Sequence, residues 1–549
     1  MSAGPGGWFH RSEKLEAGTD YRFVLDGGDP LPDPRSRWQP EGPLRSSRVC
    51  DEDFAWSDQG WAGFSLPDAV LYELHVGTFS PAGTFEGVIE RLDHLVELGV
   101  TVIELMPVAE FSGSRNWGYD GVDLFAPHHA YGGPAGLKRL VDACHRRGIG
   151  VLLDVVYNHL GPVGNFLPRF GPYFTSRYRT PWGDALNFDG PGSDEVRCFV
   201  FDNAIQWLRE YHVDGLRLDA VHAIFDTSAV HVLEELAARV HGLAEQLGRP
   251  LWLIAESDLN DPWLLHDPDS GSYGLDAQWN DDFHHALHAA LTGERSGYYV
   301  DFGKLADIAK ALKDAFVYDG RYSHFRGRRH GRPALGLSGN RFVGYLQNHD
   351  QVGNRARGER SSRLMSAGRL RAGAALVLTA PFIPMLFMGE EWGASTPFPF
   401  FSDHQDAQVA RATIEGRRRE FEAFGWRQQD IPDPQAASTF NAARLDWSEV
   451  DREQHRAMLD WYRRLVALRR TTPGLRDGRR DRIRVEFDER AAWLVVERPP
   501  VTVACNFGSA PVHLMQLSRR RPAMVWPERG LEGDRLSADG VAVLMTGAV

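Results

Sequence analysis

The sequence predicts an α/β fold, a TIM-type (β/α)8 barrel flanked by two smaller β-rich parts, and three observations carry that prediction. Eight apolar, strand-like runs alternate with helical periods between Val70 and Glu390. The runs are apolar on both alternating faces, as strands covered by helices must be. The third, fourth, fifth and seventh runs each end in ionisable residues at the C-terminal end, where such barrels collect their loops. The chain has 549 residues, more than one domain normally holds. It divides into a partial N-terminal β domain with its linker (1–66), the barrel (67–470, with insertions near 160–190 and 296–340) and a C-terminal β-sandwich (471–549).

Residues Trp8 to Val49 hold strand-like pieces such as Tyr21–Leu25 between Gly, Pro and Asp clusters, too short for a full sandwich of ~100 residues. The first barrel strand is read in Val70–Phe79, followed by a helix over Phe85–Leu98 that Gly99 stops. The second strand is Val100–Pro107, with a helix over Pro134–Arg147 closed by Gly148. The third, Ile149–His159, leads into the irregular stretch Leu160–Asp189. A helix over Ser193–His212, with Ser193 as its N-cap, precedes the fourth strand, Val213–His222. A helix over Glu234–Leu247 precedes the fifth, Pro250–Ser257. Gly274–Asp282 is a weaker sixth strand, and a long insertion with helical Leu305–Phe316 and basic Arg326–Arg332 separates it from the seventh, Arg341–Asp350. Helical Leu370–Leu378 and the eighth strand, Ile383–Glu390, complete the series. Gln454–Arg470 reads as one more helix, and alternating runs such as Trp493–Glu497 and Val501–Cys505 predict the terminal sandwich.

Composition narrows the class of function. Hydrophobic residues make up 43% and charged residues 25%, the balance of a globular chain. A net charge of −13 argues against nucleic acid and anionic lipid as partners, since both require basic surface. The four cysteines, Cys50, Cys144, Cys198 and Cys505, form no C-x-x-C pair, so a zinc cluster is not expected and reduced thiols are. No apolar run approaches membrane-spanning length and the N-terminus shows no apolar leader segment, so the expected compartment is the cytoplasm.

The chemistry lies at the strand ends. In V-D-G-L-R-L-D-A-V-H, Arg217 and Asp219 are two residues apart and share one side of an extended strand. A fixed guanidinium keeps such a carboxylate ionised and oriented. Asp154, Asn158 and His159 end the third strand, His222 follows the fourth, Glu256 ends the fifth, and Gln347, Asn348, His349 and Asp350 end the seventh. Clustered carboxylates repel and raise each other's pKa, so four at one end of one barrel are poorly explained as satisfied ion pairs. The set suits glycoside hydrolysis, which requires one ionised and one protonated carboxyl flanking the bond. Asp219 is assigned as nucleophile and Glu256, buried after W-L-I-A, as general acid/base. Asp350 is assigned to the sugar hydroxyls and the oxocarbenium-like transition state, His159 and His349 to the same ring, and Tyr119 to stacking beneath it.

D-V-V-Y-N-H, G-L-R-L-D-A-V-H, I-A-E-S and Q-N-H-D, in that order, resemble the four sequence motifs of the α-amylase family of glycoside hydrolases. The resemblance covers Val70 to about Trp392 and implies a retaining double displacement on Asp219, Glu256 and Asp350, supported by Arg217, Asp154, His159, His349 and Tyr119. Longer features, Gln347–Arg360, Asn280–His285 (N-D-D-F-H-H), Ser395–His404 and Val76–Phe79, resemble the branch of that family that hydrolyses maltooligosyltrehalose. That implies release of trehalose, recognition of its 1,1-linked disaccharide with Asp281, Asp282, Phe283 and Glu391 as candidates, and a maltooligosyltrehalose synthase as pathway partner. The family's full N-terminal sandwich is represented only in part. Many members bind calcium through the motif-one Asn and a His four residues after the nucleophile; here that position is Ala223 and the His is His222, so neither metal nor cofactor is expected and His222 is read as a subsite contact or a packed core histidine. Two alternatives remain open: a glycogen branching enzyme, which shares the covalent intermediate, and a non-catalytic amylase-like binding subunit.

Overall fold

The structure, a computed structural model, describes residues 1–422, 426–427, 431–518 and 520–546. Eight parallel strands close a barrel: β1 Leu71–Leu74, β2 Val102–Leu105, β3 Gly150–Val155, β4 Gly215–Leu218, β5 Trp252–Ala255, β6 Ala277–Trp279, β7 Phe342–Tyr345 and β8 Ile383–Phe387, with β8 pairing back onto β1. Each strand is shorter than its apolar run, because the polar tail of each run has already left the ladder to form the upper loops. The helix read over Phe85–Leu98 is split into Phe85–Ile89 and Leu92–Leu98. Ser193 is the first helical residue rather than the cap; Gly192, at φ 77, occupies the cap position.

Barrel registry follows from the period of two. Leu71, Val102, Leu152, Ile254, Ala277, Val343 and Ile383 form a dry layer at the bottom of the barrel. Two residues further along the same strands the inner positions become Glu73, Glu104, Asp154, Arg217, Trp279 and Tyr345, all buried. Parallel pairing sets Glu73 opposite Glu104 and Asp154 opposite Arg217. The charges thus form the second storey of the barrel, directly under the loop face.

After β8 the helix Glu453–Thr471 packs across the outside of the barrel, burying Met458, Leu459, Trp461, Tyr462, Leu465 and Val466. The C-terminal part is a five-stranded antiparallel sheet with a three-stranded one, built on Trp493–Arg498, Val501–Asn506 and Gly540–Thr546; its last three residues, 547–549, lie outside the described ones. The N-terminal part differs from expectation. Among the described residues it is an extended strap with two-residue ladders, Asp20–Tyr21 with Ser47–Arg48 and Phe23–Val24 with Pro30–Leu31. Its short runs hold too few apolar residues for a core of their own, and it is pinned to the barrel by ion pairs instead, Arg35–Asp202 at 2.7 Å and Arg37–Glu210 at 2.7 Å. No helix among the described residues is long and apolar enough to cross a membrane. Cys50, Cys144, Cys198 and Cys505 are all free thiols.

Glu390, in the turn after β8, is fully buried and accepts a hydrogen bond from the Tyr462 hydroxyl at 2.9 Å. Burial pushes its carboxyl up to about 8. The folded chain therefore holds a proton that the unfolded chain releases near 4.5, and stability is lost as pH rises from there through about 8. We expect the melting temperature to fall by at least about 2 °C between pH 6 and pH 9. Glu390→Gln should flatten that slope in a thermal-shift titration; an unchanged slope would remove Glu390 as its source. Buried Glu110, pushed up to about 7, acts in the same direction and leaves a residual slope.

Candidate active site

Arg217 is the centre of the polar storey. Its Nη1 donates to both oxygens of Asp154 at 2.9 Å and to Asp219 Oδ1 at 2.8 Å, and its Nη2 lies 3.3 Å from Glu256 Oε2. The guanidinium sits over the Trp279 ring at 4.3 Å, which fixes its plane by cation–π attraction. One cation therefore orients carboxyls from β3, β4 and β5.

Asp219 directly follows β4, and its N–H still bonds to the Val155 carbonyl at 3.0 Å, so the strand ladder sets its position. Asn158 Nδ2 donates to Asp219 Oδ2 at 2.6 Å and to its carbonyl at 2.8 Å. Burial pushes the carboxyl up. The Arg217 charge, His159 and the bonds from Asn158 and Arg217 outweigh that and hold it below its ordinary value. Glu256 shows the opposite balance: burial raises it first, Asp219 and Asp350 raise it further, and Arg217 and His222 only partly offset this. Ala220 connects the two. It stands in the left-handed region at φ 39, uncommon for a residue with a Cβ, and its N–H donates to Glu256 Oε2 at 2.6 Å.

Asp350 lies in the helical turn His349–Gly353, capped by Asn348, and accepts from Asn354 Nδ2 at 2.7 Å. His349 is held from below: its Nδ1 pairs with Glu73, and its Nε2 meets the Tyr119 hydroxyl at 2.8 Å. Burial lowers the His349 pKa, but Glu73 outweighs this and raises it overall. The Tyr119 hydroxyl in turn donates to Asp154 at 2.6 Å. Burial, only partly relieved by Arg217, lifts Asp154 to about 7. The nitrogens of His159 are engaged by Asn158 and by the Tyr119 carbonyl at 2.9 Å, and the exposed Trp182 of the 174–186 hairpin stacks on its ring at 4.3 Å.

The structure thus brings Asp154, His159, Arg217, Asp219, Glu256, His349, Asp350 and Tyr119 into one site. His222 sits at the rim in the turn Val221–Ala223, with Nε2 4.0 Å from Asp258. The four disaccharide candidates divide. Asp281 opens onto the site. Asp282 does not: its carboxylate accepts the N–H groups of Val317 at 2.7 Å and Tyr318 at 2.6 Å and Asn260 Nδ2 at 2.8 Å, closing a loop. Phe283 is fully buried against Phe382. Glu391 is sealed outside the barrel, taking bonds from Tyr72 at 3.1 Å and His94 at 2.8 Å. Adjacent residues in a helical turn point in different directions, which a motif string does not convey.

Glu73, Trp279 and Tyr345 escaped the sequence reading. Glu73 had a visible signal: a lone carboxylate inside the apolar run V-L-Y-E-L. Elsewhere, Glu110, His128 and His129 bring ligand-type atoms within 4.8 Å of one another. His128 Nδ1 accepts the Ala130 N–H at 3.1 Å, which places the proton of the neutral ring on Nε2, and His129 Nδ1 bonds Glu110 at 2.7 Å. Of the two rings only His129 bonds Glu110; His128 Nε2 lies 3.5 Å from that carboxylate with no hydrogen-bond partner among the described residues. Asn158 spends its amide on Asp219.

The family model for the alpha-amylase catalytic domain matches residues 49–179. A malto-oligosyltrehalose trehalohydrolase of Mycobacterium tuberculosis (strain ATCC 25618 / H37Rv) is 49% identical over 552 residues, covering 99% of this chain and 95% of its own length. One from Rhizobium sp. (strain M-11) is 52% identical over 517 residues, covering 93% and 87%. The crystal structure of a putative alpha amylase from Salmonella typhimurium superposes with a TM-score of 0.91 at 40% identity, covering all of this chain and 94% of that one. With near-complete coverage at about half identity on a closed barrel of this kind, the chain belongs to the malto-oligosyltrehalose trehalohydrolase family.

Proposed function

We propose that this chain hydrolyses the α-1,4 bond next to the terminal trehalose of maltooligosyltrehalose, releasing trehalose and a maltooligosaccharide. One observation carries the chemistry: a single guanidinium spans Asp219 and Glu256, yet their pKa values are driven apart. Asp219 is the anion and Glu256 the acid. Both Glu256 contacts, from Ala220 and Arg217, fall on Oε2, which leaves Oε1 to carry the proton.

The reaction then runs in two displacements. Glu256 gives its proton to the glycosidic oxygen while an Asp219 oxygen attacks the anomeric carbon, and the trehalose hydroxyl departs. Glu256, now ionised, takes a proton from water, which displaces Asp219 and restores both groups. Arg217 and Asn158 hold Asp219 in line throughout, and Asp350 and Asp154 supply negative charge for the sugar hydroxyls and the developing oxocarbenium ion. We place the enzyme in the cytoplasm, where its four thiols stay reduced, downstream of the synthase that makes its substrate.

Incubation with maltooligosyltrehalose, followed by chromatography, should give trehalose and a chain shortened by two glucose units. Proton NMR should show the new reducing end appearing first as the α-anomer. New α-1,6 branches formed from amylose, with no trehalose released, would assign a branching enzyme instead.

A further inference from the structure

We propose that Asp281 is the substrate-contacting carboxyl that receives the leaving disaccharide, held for that purpose by the Tyr345 hydroxyl. The inference rests on the trehalose-releasing reading above and names a residue pair that enforces it.

Placement gives the sidedness. A general acid must face the leaving oxygen, so the sector around Glu256 is the leaving-group side of the site. β6 pairs with β5, which carries Glu256, and Asp281 stands two positions beyond Trp279, the last residue of β6. The groups around the ring to be cleaved, Asp154, Tyr119 and His159, come from β3 and the loop after β2, on the other side of Arg217. Of the N-D-D-F-H-H run, Asn280 caps the helix, Asp282 closes the 317–318 loop, Phe283 fills the core, and His284 and His285 are buried against Tyr345 and against Tyr298 and Phe302, which leaves Asp281, partly exposed, to face the opening.

Energetics supply the second argument. Asp281 Oδ1 accepts the Tyr345 hydroxyl, and Tyr345 is itself clamped between Trp279, at 5.5 Å, and His284, at 5.6 Å. The charged groups acting most strongly on Asp281 are Glu256, Asp350 and Asp258, all carboxyls. Burial, with these repulsions added, drives it up to about 8 despite its place in the first turn of a helix, where a carboxylate is ordinarily favoured. A carboxyl set among three others and relieved by one phenol costs the fold stability, which a purely structural role does not explain. Sugar hydroxyls supply the missing donors. In a disaccharide joined through both anomeric carbons the second ring is attached by C1 and turns its 4-hydroxyl edge outward, where the second ring of a linear chain is attached by its 4-oxygen and turns its anomeric carbon outward, so a fixed acceptor at this point selects for the former.

The test uses the full-length enzyme with maltotriosyltrehalose and maltopentaose, which have the same number of glucose units. Asp281→Asn keeps the shape but turns one acceptor into a donor. It is expected to lower the kcat/KM ratio between the two substrates about tenfold or more, mainly through KM. Tyr345→Phe, which frees the carboxyl to rotate, should shift the ratio the same way by a smaller factor. Thermal melting of Asp281→Asn should be no lower than wild type. An unchanged ratio in both variants, or equal losses on both substrates with a lowered melting temperature, would overturn the proposal. A wild-type enzyme that releases no trehalose would overturn the functional reading itself, and is separable because no variant is needed to see it.

Discussion

Asp219→Asn is expected to lower kcat by about four orders of magnitude or more, with the fold and its melting temperature nearly intact. The reason is geometric as well as electronic. Asp219 is the one carboxyl in the polar storey that binds both the central guanidinium and a side-chain amide, so its two oxygens are fixed and its charge is held. Asparagine keeps the volume and loses both the charge and the nucleophile. Removing a group that forms the covalent intermediate typically costs such factors, because the remaining machinery acts with it as a unit. Stability should fall only modestly: the carboxylate that the fold holds below its ordinary pKa is lost, but Asp154 still satisfies Arg217 at 2.9 Å. Steady-state assay on maltooligosyltrehalose with a parallel melt checks both. Retained turnover would make a different residue the nucleophile.

The second large effect is expected from Glu256→Gln, and its signature is dependence on the leaving group. The natural leaving group is a sugar hydroxyl, which departs slowly without a proton, so kcat should fall by about three orders of magnitude or more. An α-glycosyl fluoride needs no such help and should lose far less in its first step. The pH profile adds a sign. Burial, then Asp219 and Asp350, raise the Glu256 pKa, so the active protonated form persists to higher pH than for an ordinary carboxyl, and the rate falls as pH rises through that raised value. In Glu256→Gln that basic limb should disappear. A limb that persists unchanged would assign the titration to another group, of which His349, raised by Glu73, is the nearest candidate.

How much of this was legible in the chain depends on the length scale of the interaction. Local signals served well for the barrel: the apolar runs fixed eight strands, and the polar ends of the third, fourth, fifth and seventh runs located the site. They failed where a residue's neighbours decide its role. N-D-D-F looks like one recognition motif, yet its four side chains go to a cap, the site, a loop closure and the core. Glu391 looked like a loop acid, yet Tyr72 and His94 hold it outside the barrel, 319 and 297 residues away in sequence. The N-terminal segment showed strand-like alternation, yet two-residue ladders and ion pairs to the barrel replace a sheet, because its runs are too short to bury a face.

The sequence by itself determined the class of fold, the end of the barrel where the candidate catalytic groups gather, and which residues are the nucleophile and acid candidates. Each of these is written in short-range pattern: period two, period 3.6, and charge placed against apolar context. The tertiary structure alone decided how those charges are shared. Arg217 serves three carboxyls because barrel closure sets β3, β4 and β5 side by side in register. Trp279 lies beneath the guanidinium, and Tyr345 holds Asp281, because β6 and β7 turn those positions inward. Distances of this kind depend on closing a ring of strands, and no stretch of the chain contains that closure on its own.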